Sequence, residues 1–399
     1  MEFTPTDRQR RLIDLARSFR ENVIVPLSPH EREWEKDPDR RFPWEAVVEG
    51  SKNGLRILAV PERFGGGGTT ILDRVLVLEE LAVGDAGVAS IFDQAYKFTE
   101  AILEQGTEEQ QRWIFEAFLA DERFLLAGTF TEPDRGTDNS LRYGRFATRA
   151  DLEGDEWVLN GQKRYISCGG EASLYLVGAT VDPDKSMAEG SAMFIVPRDT
   201  PGLTIEKQWE KVGFRLMNNA SIAFTGVRVP RENVLGGEIG ISPDGPIHGS
   251  PSTPIGIAAQ AIGTARAALQ AAIQHAHERI QTGRPIIEHQ AIGFALVDHL
   301  GRIEAARALM WRAAHALDTN RPDAVRLAAM AKVVAAEACS DACRQSMEVL
   351  GGAGVMMESP LQKYARDSLT FFHPPTQEAF KAAVQRGLLQ DMDIQPFPA

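Results

Sequence analysis

Apolar residues keep two different periods along this chain, and the change of period divides it. Near the start Leu12, Leu15, Ala16 and Phe19 fall on one helical face. The same spacing runs through 71–83, 88–104 and 108–119 and predicts a helical N-terminal region. Asn53-Gly54 and the run from Gly65 to Gly68 interrupt it. No Lys-Ser or Lys-Thr follows the glycines, so they read as a flexible loop rather than a phosphate cradle. From about residue 123 short apolar runs and alternation take over. Segments 124–127, 146–150, 174–178, 193–196, 221–224 and 227–229 predict strands. Trp157-Val158-Leu159 runs into Asn160-Gly161, a strong hairpin signal. A loop rich in Gly, Pro and Ser spans 236–254. Ala-rich stretches at 255–281, 287–318 and 323–350 then predict long helices. Gly351-Gly352 ends the third, and 377–390 predicts a last one.

The order is therefore α, β, α, an α+β fold. We expect an N-terminal α-helical domain over 1–122, a middle β-barrel-like domain of short strands over 123–236, and a C-terminal four-helix-bundle domain over 237–399. The length, 399 residues, suits two or three domains and a core that needs no disulfides.

Charge and cysteine content narrow the function. Lys and Arg number 43 and Asp and Glu 55, a net charge of −12 with no basic run. That argues against nucleic acid and anionic membrane surfaces as partners. Three cysteines, Cys168, Cys339 and Cys343, are too few for a disulfide framework, and a reducing cytoplasm is the expected location. Cys339 and Cys343 share a helix face, but no His or Cys pair completes a metal set, so they read as core and no metal is expected. The first residues lack the apolar stretch of a secretion signal, and no run is long enough to span a membrane.

Several motifs occur in one order. They are Leu58-Ala59-Val60-Pro61-Glu62 with Phe64-Gly65-Gly66; Leu78-Glu79-Glu80-Leu81-Ala82; Phe130-Thr131-Glu132-Pro133 with Gly136-Thr137-Asp138; and Asn160-Gly161-Gln162-Lys163-Arg164-Tyr165-Ile166-Ser167. Val227-Arg228-Val229-Pro230 with Asn233-Val234-Leu235-Gly236, Arg279 with Gly283, Pro285 and Gln290, Gly351-Gly352-Ala353-Gly354 and Arg366-Asp367 complete the series. Over nearly its whole length the chain resembles the acyl-CoA dehydrogenase family, FAD flavoproteins that oxidise acyl thioesters.

The resemblance implies FAD, held by Phe130, Thr131, Thr137, Tyr165, Ser167 and Thr376 in one chain and by Arg279, Gln290, Gly351 and Gly352 of a neighbouring copy. It implies a homotetramer, an acyl-CoA substrate and an electron-transferring flavoprotein as acceptor. The chemistry of these residue types agrees: an aromatic wall for the ring, hydroxyls for its polar edge, a guanidinium fork for a pyrophosphate and glycines for close backbone approach.

The family's base departs from the pattern. Its usual Glu follows the Arg-Asp pair, where this chain has Pro374 or Pro375. The alternative position, on the first helix of the C-terminal region, is about Thr253. Pro251 and Pro254 stand where many members grip CoA, Glu348 where many carry Gln, and Thr282 where many carry Phe. Three residues are candidate substitutes. Asp93 lies in the apolar context Ser90-Ile91-Phe92-Asp93-Gln94-Ala95-Tyr96, which lines the family's acyl pocket and suits a 1,4-elimination; Glu378 and His373 lie near the vacant position. The expectation is an FAD-dependent oxidoreductase acting by a variant route. Alternatives are a non-catalytic subunit of a mixed tetramer, a redox-neutral desulfinase-type enzyme, and a flavin oxidase or monooxygenase acting without CoA.

Overall fold

The computed structural model describes residues 4–34, 37, 40–133, 145–241, 250–373 and 377–390. Helices α1 (Asp7–Phe19), α2 (Trp44–Lys52), α3 (Ile71–Gly84), α4 (Ala86–Gln105) and α5 (Glu108–Ala120) precede the sheet. Their starts are set locally. Thr70, Asp85 and Thr107 each accept a hydrogen bond from the backbone N–H three residues on, filling donors that a helix start leaves open. The long helices α6 (Thr253–Glu278), α7 (Gln290–Asp318) and α8 (Ala324–Leu350) follow the sheet, then α9 (Pro360–Thr370) and α10 (Gln377–Gln390).

The middle sheet has seven strands: β1 (Leu126–Thr129), β2 (Arg149–Glu153), β3 (Glu156–Ser167), β4 (Leu174–Thr180), β5 (Ser191–Pro197), β6 (Leu203–Gln208) and β7 (Asn219–Pro230). They run in the order β1-β4-β2-β3-β7-β6, with β5 on β4. β1 and β4 are parallel, whereas β3 and β7 pair antiparallel along most of their length. The curled sheet holds its own core around Trp157, Tyr175 and Phe194. The helices before and after it share a second core, because α6 packs on α3 as well as on α7 and α8.

Four local expectations are corrected. Asn160-Gly161 is no hairpin; it lies inside β3, where the register slips, and a side chain at Gly161 would come within 2.6 Å of Thr148. The turn is at Gly154-Asp155, where Gly154 takes φ +65°. The 146–150 strand begins only at Arg149, because the N–H groups of Ala147 and Thr148 are taken by the Glu132 carboxylate. The 221–224 and 227–229 segments are one strand. The glycines at 65–68 form a packed loop rather than a flexible one. Gly66, Gly67 and Gly68 N–H donate to Pro61, Ile57 and Val60, and a Cβ on Gly66 would meet the Val60 carbonyl at 2.2 Å.

Among the described residues no helix is long and apolar enough to cross a membrane. Nor do they include a group of three or more His, Cys, Asp or Glu placed to hold a metal ion. Cys339 and Cys343 are buried, with sulfurs 3.9 Å apart on one face of α8.

Candidate functional site

A cavity of about 1000 Å³ opens where helices meet sheet. Asp93, Gln94 and Lys97 of α4 and Gln260 of α6 form one wall. Phe130 and Thr131, just after β1, and Tyr165, Ile166 and Ser167, closing β3, form the facing wall. The segment 209–214 and the end of α9 with His373 form the rim.

Asp93 is nearly enclosed, at 5% exposure. Burial pushes its carboxyl up to about 6, and Glu100 adds to this, while Lys97, a hydrogen bond from Gln260 and Arg74 act the other way. Gly256 makes the room: a Cβ there would lie 2.1 Å from Asp93 Oδ1. Lys97 lies one helical turn along. Burial lowers its pKa against the pull of Asp93. Such a carboxyl is able to take a proton near neutral pH.

The strand wall is held from beneath. Glu132 accepts from Lys163 Nζ at 3.0 Å and from the N–H groups of Ala147 at 2.5 Å and Thr148 at 2.8 Å. Arg164 N–H donates to the Thr131 carbonyl at 2.8 Å. Tyr165 takes φ +61°, a conformation uncommon for a bulky residue, which leaves its ring half exposed beside Trp209, centroids 5.1 Å apart. Asn219 Nδ2 donates to the Tyr165 carbonyl at 2.7 Å and to Ser167 Oγ at 3.3 Å, while its Oδ1 accepts from Lys211 Nζ at 2.8 Å. An open aromatic face, a hydroxyl fixed beside it and a tethered Thr131 suit a planar heterocycle with polar edges, which is the shape of a flavin ring.

Arg366-Asp367 braces the rim. Asp367 Oδ1 accepts from the Phe214 N–H at 2.7 Å, and its other oxygen lies 2.5 Å from Lys363 Nζ. Lys363 also meets Asp85 at 2.9 Å, and Arg366 pairs with Glu31. Three acids outweigh the burial of Lys363 and raise its pKa. The segment before the sheet, the sheet and the last helices are joined here.

Asp93, Phe130, Thr131, Tyr165, Ser167 and His373 all line the cavity. Glu378 does not: it is exposed on the first turn of α10, as a helix-start acid is expected to be. Arg279, Gln290, Gly351 and Gly352 are exposed and outside the lining. Thr137, Thr376, Pro374 and Pro375 lie outside the described residues. Lys97, Gln260, Trp209 and Lys211 line the cavity and were not singled out in the sequence. The i,i+4 spacing of Asp93 and Lys97 was a readable signal; the other three lie far along the chain from Asp93.

Three family models match the chain. They describe the acyl-CoA dehydrogenase N-terminal domain over residues 6–122, the middle domain over 127–227 and the C-terminal domain over 253–372. The short-chain specific acyl-CoA dehydrogenase, mitochondrial, of Bos taurus is 34% identical over 387 residues, 96% of this chain and 90% of that protein. The solved butyryl-CoA dehydrogenase of Megasphaera elsdenii superposes with a TM-score of 0.89 at 33% identity, covering 98% of this chain and all of that one (100%). The prolyl acyl carrier protein oxidase AnaB superposes with a TM-score of 0.87 at 26% identity, covering 96% of this chain and 100% of that one.

Proposed function

The chain belongs to the acyl-CoA dehydrogenase family, and from that premise we propose that it withdraws two hydrogens from an acyl thioester with Asp93 as the base. It is an acyl-CoA dehydrogenase-like flavoenzyme, an oxidoreductase whose cofactor is FAD. When bound, FAD supplies the acceptor for the departing hydride. Phe130, Thr131, Tyr165 and Ser167 would hold its ring. The open Tyr165 face and the fixed Ser167 hydroxyl support that assignment. Arg279, Gln290, Gly351 and Gly352 are proposed to serve the FAD of a neighbouring copy in a homotetramer. Their exposure on the single chain fits that role. Thr137 and Thr376 are assigned to the same cofactor by resemblance alone.

The observation that carries the reading is a nearly enclosed carboxylate, with a pKa of about 6, facing the proposed ring wall across the cavity. Asp93 takes a proton from the acyl group. Lys97 and Gln260 steady the anion, and the close backbone of Gly256 limits its movement. Loss of that proton, with hydride transfer to the flavin that these residues would hold, would leave a carbon–carbon double bond in the acyl group, and an electron-transferring flavoprotein is the proposed acceptor from the flavin. His373 at the rim is the second candidate for the proton.

The test is Asp93→Asn, titrated anaerobically with acyl-CoA thioesters. Retained FAD with flavin bleaching lost supports the base. Unchanged bleaching removes Asp93 from the role and leaves His373. Wild-type protein that binds a thioester and never bleaches points instead to desulfination or to a non-catalytic place in a mixed tetramer. The likeness to a prolyl acyl carrier protein oxidase supports a second reading, with the thioester borne on a carrier protein and oxygen as acceptor. Oxygen-dependent turnover of a carrier-bound acyl group, without turnover of its CoA ester, would establish it.

A further inference from the structure

We propose that the helix wall of the cavity receives a neutral, hydroxyl-bearing acyl group, an inference that rests on the reading of the cavity as an acyl-thioester site. A plain alkyl chain calls for an apolar pocket. Here Ser90, Asp93, Gln94, Lys97 and Gln260 line the cavity from one side. Ser90 is 6% exposed, Gln94 6% and Gln260 1%. Gln260 donates to the Gly256 carbonyl at 3.1 Å and bonds Asp93. The side chains of Ser90, Gln94 and Lys97 hydrogen-bond to no described residue. An alkyl chain would displace water from these groups and give nothing in return, whereas a polar substituent restores the bonds.

Charge selects among the polar substituents. Asp93 and Glu100 are the anions that act on this wall, and Lys97 and Arg74 the cations. Arg74 pairs with Glu100, and Glu100 also accepts from Ser250 and Ser252. A carboxylate on the acyl group would stand as a third anion, and an ammonium as a third cation. A hydroxyl adds no charge. It both donates and accepts, so it meets Asp93 on one side and Gln94 or Lys97 on the other.

The experiment is calorimetric binding to the FAD-loaded protein, with flavin bleaching recorded in parallel. The probes are butanoyl-CoA against 4-hydroxybutanoyl-CoA, and cyclohexanecarbonyl-CoA against 4-hydroxycyclohexanecarbonyl-CoA. Glutaryl-CoA and 4-aminobutanoyl-CoA test an anion and a cation. The expected result is binding of the hydroxylated member at least about tenfold tighter in one of the two pairs, with both charged probes weaker. In Gln94→Leu the preference falls to near parity while the plain thioester still binds. The wild-type panel decides the matter even where that variant does not fold. A preference below tenfold in both pairs, tightest binding of a charged probe, or binding of no thioester overturns the proposal. A tenfold preference without bleaching supports it while removing the dehydrogenation reading, so the two ideas fail separately.

Discussion

Lys163 Nζ lies 3.0 Å from Glu132 Oε1, and both side chains are shut away from solvent, at 0% and 1% exposure. Neither belongs to the cavity lining, yet the pair lies directly beneath it. Glu132 follows Thr131, and Lys163 precedes Tyr165 by two residues. The Glu132 carboxylate gathers Lys163 and two backbone N–H groups, which together outweigh its burial and lower its pKa. Burial brings Lys163 down to about 8 against the pull of Glu132. The ammonium also lies 4.1 Å from the centre of the Phe146 ring.

Removing either partner strands a buried charge. Lys163→Met is expected to cost about 3–5 kcal/mol of stability. It is also expected to reduce bound flavin, because the loop carrying Thr131 loses its anchor. Thermal unfolding and the absorbance ratio of flavin to protein check both. A variant that keeps full stability would show that the pair contributes little.

Ionising Asp93 costs the fold free energy. Its folded pKa of about 6 stands above the ordinary 3.8. The folded state therefore holds the proton more tightly, and this contribution is complete below pH 3.8 and lost as the pH rises to about 6. Asp93→Asn is expected to be more stable than the wild type at pH 7 by about 2–3 kcal/mol, with the gap closing toward pH 4. Denaturant unfolding across that range measures it.

The same ionisation governs turnover in the opposite direction. A base must be unprotonated to act, so flavin reduction is expected to rise through an apparent pKa near 6. Single-turnover rates between pH 5 and 8 test this. A flat profile would separate the reaction from Asp93.

Gly256 is the narrowest contact of the site. A Cβ at 2.1 Å from Asp93 Oδ1 forces the carboxylate aside. Gly256→Ala is expected to retain FAD and lower the reduction rate about 100-fold, the scale of a displacement near 1 Å. Stopped-flow reduction with unchanged flavin content is the supporting result.

Asp367 joins Lys363 to the Phe214 N–H, and so the last helices to the cavity rim. Asp367→Ala is expected to cost about 3–5 kcal/mol, because Lys363 stays buried with less compensating charge. It is also expected to weaken thioester binding through the loosened 212–214 segment. Unfolding and calorimetric binding read the two effects separately.

Helices were legible wherever a long apolar period met a capping residue. The stretch 108–119 is bounded by Thr107, and the helix found is Glu108–Ala120. Strands were less so, because β-signals depend on partners. Asn160-Gly161 has the composition of a turn, yet β7 pairs along both of its flanks and draws it into a ladder. Of the site, Asp93 was legible as an acid in an apolar helix. Gln260 was not, since an amide on an Ala-rich helix carries no signal until that helix packs on another.

The sequence by itself determined the order of helical and strand regions, the family to which the chain belongs, and the candidate acid at position 93. Periods, caps and ordered motifs are local properties, and they survive without coordinates. The tertiary structure decided what Asp93 is chemically. An isolated aspartate titrates near 4. It is raised because α6 removes it from water and Gly256 lets the backbone close over it, with Glu100 adding to the rise and Lys97 and Gln260 opposing it. Desolvation and through-space charge depend on distance in the folded chain, which spacing along the sequence does not carry.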